Sequence, residues 1–163
     1  MNQPAFEQKI CSASELAARA AALPRPVVFT NGVFDILHRG HVTYLAQARA
    51  LGASLIVGIN SDASVKRLGK GDDRPINTEI DRAAVMAALE CVDLVSVFTA
   101  DTPLDTILLA RPDVLVKGGD WAVENMVGAA EVQGWGGKAV SIPFEHERST
   151  TSTLEKIRRS NQS

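Results

Sequence analysis

Two histidines three residues apart, His38 and His41, follow a short apolar run and open a helical pattern. Val27, Val28 and Phe29 form that run and read as a buried strand. Thr30, Asn31 and Gly32 break it, and a glycine there lets a ligand approach the backbone closely. Phe34 and Asp35 come next, then the histidine pair around Gly40. Val42, Leu45 and Ala46 recur at helical spacing, with Gln47 and Arg49 facing outward. The pair therefore falls at the start of a helix, where unpaired N–H groups and the positive dipole end suit a phosphate. A spacing of three puts both imidazoles on one side of the first turn. Each ring donates a hydrogen bond, and a protonated ring adds charge. The chemistry that fits is a phosphate seated at the helix start with two donors aimed at one phosphorus. Two solvated histidines at a helix cap are the plain alternative. A zinc site of His38, His41 and Asp35 ranks below phosphate binding, because zinc wants three or four protein ligands and no Cys or His cluster lies nearby.

Three other stretches carry groups of the same kind. Lys117, Gly118, Gly119 and Asp120 directly follow an apolar run. They read as a tight turn with a solvated lysine or, at the edge of a parallel sheet, as backbone that meets a nucleotide while Asp120 accepts from ligand hydroxyls. Arg148, Ser149, Thr150 and Thr151 open the last helical pattern. Ser and Thr are preferred caps, and a helix start beside an arginine is also an anion site. Lys66, Arg67, Lys70 and Arg74 lie in a run rich in glycine and charge after the second strand. That run reads as a mobile solvated loop or as a phosphate-gathering lid. Trp121, Trp135 and His146 are assigned to packing or surface. No Walker A run and no GxGxxG occurs, which disfavours P-loop NTPases and dinucleotide dehydrogenases.

The elements that must position these groups alternate. Residues 1–11 read as a loose lead-in. Ser12 and Glu15 have capping-box spacing ahead of an Ala- and Leu-rich run, so a short helix is expected within an N-terminal extension over 1–24. Strands are expected at 27–29, 54–60, 94–98, 114–116 and 138–144. Helices are expected from Gly40 to near Leu51, from Asn77 or Thr78, from Thr102 and Pro103, over 123–133 and over 149–159. The alternation predicts an α/β fold, a five-stranded parallel doubly wound (Rossmann-like) sheet with right-handed crossovers. A strand order of 3-2-1-4-5 reverses between the first and fourth expected strands, and ligands bind at such a reversal. Thr30 to Asp35 then lies beside Lys117 to Asp120 in a single site.

Composition narrows the class. A chain of 163 residues fits one domain and buries a core without metal or disulfide staples. A net charge of −2 gives no electrostatic support to a nucleic-acid partner. Cys11 and Cys91, each in an apparent helix or its edge, have no metal-ligand or CxxC spacing. No secretory leader and no apolar run of membrane-spanning length is seen, so a reduced, cytoplasmic protein without a membrane partner is expected.

The string TNGVFDILHRGH at 30–41 resembles the GxFDxxHxGH signature of the cytidylyltransferase-like nucleotidyltransferases. GINSDASVKRL, RPIN, LVKGGDW and RSTT extend the likeness over 27–159, read as the catalytic core. Among members it is strongest to those that join ATP and D-glycero-β-D-manno-heptose 1-phosphate for lipopolysaccharide inner-core synthesis. Glycerol 3-phosphate cytidylyltransferases share the histidine pair but are less like the NSDAS and KGGDW stretches. The resemblance implies that His38, His41 and Arg148 are catalytic. It implies nucleotide contacts at Phe29, Thr30, Asn31, Gly32, Phe34, Gly40, Gly118, Gly119, Asp120, Ser149, Thr150 and Thr151. It puts Asp35, Lys66, Arg74 and Lys117 on the acceptor and phosphate side. Mg²⁺ would bridge the triphosphate, with no metal ligand assigned to the protein. The loop at 69–71 is one residue longer than the family pattern, which leaves Lys70 without an assigned role. Many members are fused behind a sugar kinase, so the resemblance also implies a separate heptose 7-phosphate kinase, and a homodimer.

Overall fold

β-Branched apolar runs closed by polar turns become strands here, and the runs with helical apolar period between them become helices. The computed structural model describes residues 2–146 and 149–162. Its strands are β1 (Ile10–Cys11), β2 (Val27–Gly32), β3 (Ser54–Asn60), β4 (Leu94–Phe98), β5 (Val114–Gly118) and β6 (Lys138–Ile142). Its helices are α1 (Ala13–Ala21), α2 (Arg39–Arg49), α3 (Asp62–Arg67), α4 (Glu79–Ala87), α5 (Leu104–Ala110), α6 (Ala129–Gly134) and α7 (Thr150–Ser160). The strands form one parallel sheet in the order β1-β4-β3-β2-β5-β6.

The sheet has six strands, not the expected five. The additional one is β1, at the edge beside β4, with Ile10 opposite Val95 and Cys11 opposite Ser96. Two residues are too few to show a period, so only tertiary pairing reveals this strand. The lead-in is ordered as well: Ala5–Lys9 forms a 3₁₀ turn, and Lys9 Nζ donates to Leu89 O at 3.3 Å. Cys11 thus belongs to a strand and Cys91 to the turn after α4, rather than to helices. Nor do Thr30, Asn31 and Gly32 break the first expected strand; pairing with Val57, Gly58 and Ile59 carries β2 through them. The helix expected over 123–133 divides into a 3₁₀ turn, Val123–Asn125, and α6, with Gly128 between them at φ 86°. Lys66 and Arg67, expected in a loop, end α3, which Ser61 caps by accepting from Ser64 N.

Alternate strand residues face opposite sides. Val28, Leu55, Val57 and Val95 meet Leu45 and Ala48 of α2 and Ala83 and Met86 of α4. Val27, Phe29, Ile56 and Leu94 meet Leu16 and Ala20 of α1, Ile107 and Ala110 of α5 and Val132 of α6. Helices therefore cover both faces. No helix among the described residues is long and apolar enough to cross a membrane.

The central strands part company at the carboxyl edge. β2 pairs with β5 at Val28–Val114 and Phe29–Leu115 only. Beyond that, β2 stays with β3 as far as Gly32–Ile59, and β5 stays with β6 as far as Gly118–Ile142. A fork opens between them, at the order reversal where doubly wound folds seat ligands.

Arg82 of α4 ties the polar loops at this edge to the core. Its side chain is fully buried. It donates to Asn77 O, Val33 O and Asn60 O at 3.0, 2.9 and 2.7 Å, and to Asp62 Oδ1 at 2.8 Å. Its removal leaves the three carbonyls without this donor and the half-exposed Asp62 without its partner. Arg82→Met is expected to cost about 3 kcal/mol. Urea denaturation checks this, and a loss below about 1 kcal/mol contradicts the assignment.

Candidate active site

His38 is the N-cap of α2, and its Nδ1 accepts from Gly40 N–H at 3.1 Å. In the neutral ring the proton is then on Nε2. His38 and His41 stack with ring centroids 3.8 Å apart and planes 21° from parallel. Gly40 makes this geometry fit, since a Cβ there would lie 2.9 Å from His38 Cε1 and 3.2 Å from His146 O. The edge of Phe34 meets His41 at 5.3 Å. Phe34 itself stands at φ 48°, a strained conformation for a bulky residue. Its ring covers Gly32, where a Cβ would come within 2.9 Å of it.

His41 Nδ1 is buried and has no hydrogen-bond partner among the described residues. Desolvation, followed by the neighbouring His38 and Lys70, pushes the His41 pKa down to about 4. The ring is therefore neutral at pH 7. An uncompensated buried polar atom beside a lysine suits an arriving anion, which would supply the missing negative charge.

A cleft of about 270 Å³ opens over the pair. His38 and His41 line it together with Phe34, Lys70, Phe144 and the residues that begin α7. Ser149 caps α7 by accepting from Ser152 N at 3.1 Å, and Thr150 Oγ1 donates to Ile36 O at 3.4 Å. The starts of two 11-residue helices thus face one cleft. Each contributes a positive dipole end, although at α2 His38 already takes up the N–H groups of Gly40, His41 and Val42. Arg148, expected to act here, lies outside the described residues.

Asp35 and Arg74 also border the cleft, but their charged groups serve each other. Arg74 Nε donates to Asp35 Oδ2 at 2.8 Å, with side-chain exposures of 4% and 0%. Ile76 N and Asn77 N donate to the same carboxylate, each at 2.8 Å. Burial raises the Asp35 pKa, but the two backbone N–H groups and Arg74 outweigh it and hold the carboxyl below its ordinary value. The pair therefore holds itself in place at the cleft wall, with three protein donors on the Asp35 carboxylate. Arg74 is likewise no part of a solvated lid. Phe29 and Thr30 have fully buried side chains. Lys66 is exposed on α3 and does not line the cleft.

The Gly118–Asp120 stretch lies across the fork, beside the cleft wall. Phe144 bridges the two places, because it lines the cleft and its ring would be 2.7 Å from a Cβ at Gly118. Gly119 stands at φ 110°, which favours glycine. Lys117 Nζ lies 4.4 Å from the centroid of the Trp121 ring, and Trp121 Nε1 donates to Gly118 O at 3.1 Å. Trp121 is therefore a support for Lys117 rather than a mere surface residue. Asp120 is exposed, and Asn31 and Gly32 are half-buried at the end of β2.

Sequence reasoning placed Lys70 in a solvated loop or phosphate-gathering lid without giving it a role, and missed Phe144 and Tyr44. Lys70 lines the cleft, and its pKa is lowered by desolvation and by Arg74, against the opposing charge of Asp35. Its signal was membership in a basic run after a strand on the histidine side. Phe144 gave none, standing at the end of the expected strand 138–144 as one more apolar residue. Tyr44 follows His41 by three residues, the spacing that shares a helix face.

The fold and site define a class. The family model described as cytidylyltransferase-like matches residues 29–159, and the chain belongs to that family. It is 60% identical over 160 residues to D-beta-D-heptose 1-phosphate adenylyltransferase of Bordetella bronchiseptica, which covers 97% of this chain and 99% of that protein. It is 52% identical over 144 residues to the bifunctional protein HldE of Trichlorobacter lovleyi, covering 88% of this chain but only 29% of the longer relative. Among solved structures, the lipopolysaccharide core biosynthesis protein from Thermoplasma volcanium matches with a TM-score of 0.61 at 27% identity, over 75% of this chain and 98% of that one.

The depressed His41 pKa has a measurable sign. Between about 4 and the ordinary 6.5 the unfolded chain binds a proton at this ring that the folded chain does not. Stability from this group is therefore complete above that window and is lost as pH falls through it. An imidazole titration followed by NMR is expected to place His41 near 4 in the ligand-free protein. A value at or above 6.5 contradicts the desolvated ring.

Proposed function

We propose that the chain transfers AMP from Mg-ATP to D-glycero-β-D-manno-heptose 1-phosphate, giving ADP-heptose and pyrophosphate for lipopolysaccharide inner-core synthesis. The observation that carries this reading is the stacked histidine pair, with one buried nitrogen unpartnered, between two helix starts that face the same cleft. The choice of heptose phosphate and adenine rests on the Bordetella relative.

A phosphate oxygen of the sugar attacks the α-phosphorus of ATP, and the bond from that phosphorus to the β-bridging oxygen breaks. The electron pair leaves on pyrophosphate. The attacking phosphate is already ionised at neutral pH, so no general base is required. The protein's task is to position the groups and to hold growing charge. His38 donates from Nε2–H. His41, neutral when empty, gains a proton or a hydrogen bond as phosphate charge arrives beside it. Lys70 adds a cation at the same wall. The start of α7, with Arg148 before it, takes the β- and γ-phosphates. The backbone at Gly118 and Gly119 holds the adenosine with Asp120 on its hydroxyls, and Lys117, propped on Trp121, faces the acceptor phosphate. Magnesium enters as part of the nucleotide. Among the described residues no group of three potential metal ligands occurs, and the cleft's one carboxylate is spent on Arg74. This donor set suits an ion carried by phosphates and water.

On this reading residues 27–159 act as one catalytic domain behind an extension over 1–24, in the cytoplasm and as a homodimer. A separate heptose 7-phosphate kinase then supplies the acceptor.

The test is pyrophosphate release from Mg-ATP with and without D-glycero-β-D-manno-heptose 1-phosphate, with CTP run in parallel. Release that needs both ATP and the heptose phosphate is expected. Nucleotide binding without release would instead favour a non-catalytic module. His41→Ala is expected to lose about 10²–10³-fold in turnover while circular dichroism stays unchanged. A His41→Ala enzyme of near-normal rate overturns the roles assigned to the pair.

A further inference from the structure

Tyr44 is the single tyrosine of the chain, and its side chain enters the fork between β2 and β5. Backbone N–H groups along a strand alternate in direction. Gly119 N–H donates to Ile142 O on β6, so Gly118 N–H points the other way, toward β2. There the β2–β5 ladder has already ended at Phe29–Leu115. Tyr44 Oη takes the place of the missing strand acceptor. Gly118 N–H faces it from β5, and on its other side it shares a hydrogen bond with Thr30 Oγ1 of β2. One tyrosine side chain thus stands between the two parted strands, bonded to β2 and packed on Gly118 of β5.

The fit around that hydroxyl is close. A Cβ at Gly118 would lie 3.2 Å from Tyr44 Cε2, so position 118 has no room for a side chain. The Tyr44 ring also packs on Phe144 with centroids 5.7 Å apart, and Phe144 lines the cleft. Burial, against the two hydrogen bonds, pushes the Tyr44 pKa up to about 12. The group is a permanent hydroxyl and takes no part as a base. His41 stands one helical turn earlier on the same face of α2.

We propose that Tyr44 is a positioning residue for the transfer reaction: its side chain stands between the parted strands and fixes where His41 stands against the Gly118–Gly119 backbone. This role rests on the adenylyl-transfer reading of the site. Removing the oxygen while keeping the ring leaves the buried Thr30 hydroxyl unpaired and takes the polar group away from Gly118 N–H. The strands then shift or admit water, and a displacement of about 1 Å at a reacting centre costs up to about 10²-fold in rate.

The test compares Tyr44→Phe, Thr30→Val and the double variant with the wild-type chain, by heptose-dependent pyrophosphate release and by circular dichroism. Each single variant is expected to fold and to lose roughly tenfold or more in kcat, with little change in KM for Mg-ATP. The double variant is expected to match the singles, because all three break the same Thr30–Tyr44 hydrogen bond. Normal kcat in either folded single variant overturns the proposal, as does a double variant whose loss is the product of the two. A loss confined to thermal stability, with normal kcat per folded molecule, makes Tyr44 merely structural. Where Tyr44→Phe does not fold, Thr30→Val decides by the same readout. Absence of turnover in the wild-type chain marks a different failure: it removes the transfer reading, and the proposal falls with it.

Discussion

The buried carboxylate of Asp35 is the contact on which the histidine side of the cleft depends. It stands just past β2 and gathers Arg74, Ile76 N and Asn77 N, while its own carbonyl accepts from Asn77 Nδ2 at 2.6 Å. Two segments about forty residues apart in sequence are thereby closed on each other. A buried ion pair is weak evidence for stability, because desolvation offsets much of the attraction. Its value here lies in geometry. It holds the strained Phe34 against Gly32 and His41, and it places the loop that carries Lys70 over the cleft. Arg82, with three backbone carbonyls to satisfy, secures the same loops from below.

The parting of β2 and β5 is the second constraint. A parallel sheet whose order reverses at its centre leaves two strand ends without each other. The chain fills that gap at one side with Tyr44 and leaves the remainder open for a ligand. Glycine at 118 is required by the same crowding, since Tyr44 and Phe144 occupy the space of a side chain. On the proposed reading, helix starts take the phosphates and strand ends take the base, so each half of a nucleotide meets the backbone that suits it.

Much of this was legible in the residues. The long, strongly patterned runs at 54–60 and 94–98 became β3 and β4 with the bounds expected of them. The helix starts at Ser12, Thr78 and Ser149 declared themselves through cap chemistry. The histidine pair was legible because its spacing, its glycine and its place after a strand agreed. What failed was whatever depended on a distant partner. β1 exists only because β4 offers an edge. Thr30 to Gly32 stay in a strand only because β3 continues beside them. Asp35 and Arg74 looked like free charges in polar loops, and nothing local says that two such residues 39 positions apart will neutralise each other. In the structure they hold each other in place at the cleft wall.

In the proposed mechanism the histidines act as holders of charge and not as nucleophiles. His38 has Nδ1 engaged with Gly40, and His41 keeps its unpartnered Nδ1 in a buried setting where charge has to be brought to it. The sugar phosphate then displaces pyrophosphate directly and in line. The measurement that tests this most directly is the stereochemical course at the α-phosphorus, using a single diastereomer of the α-thio analogue of ATP with heptose 1-phosphate. Inversion of configuration is predicted, as one in-line displacement requires. Retention would mean two displacements through an adenylylated side chain, and would contradict a purely charge-holding role for His38 and His41.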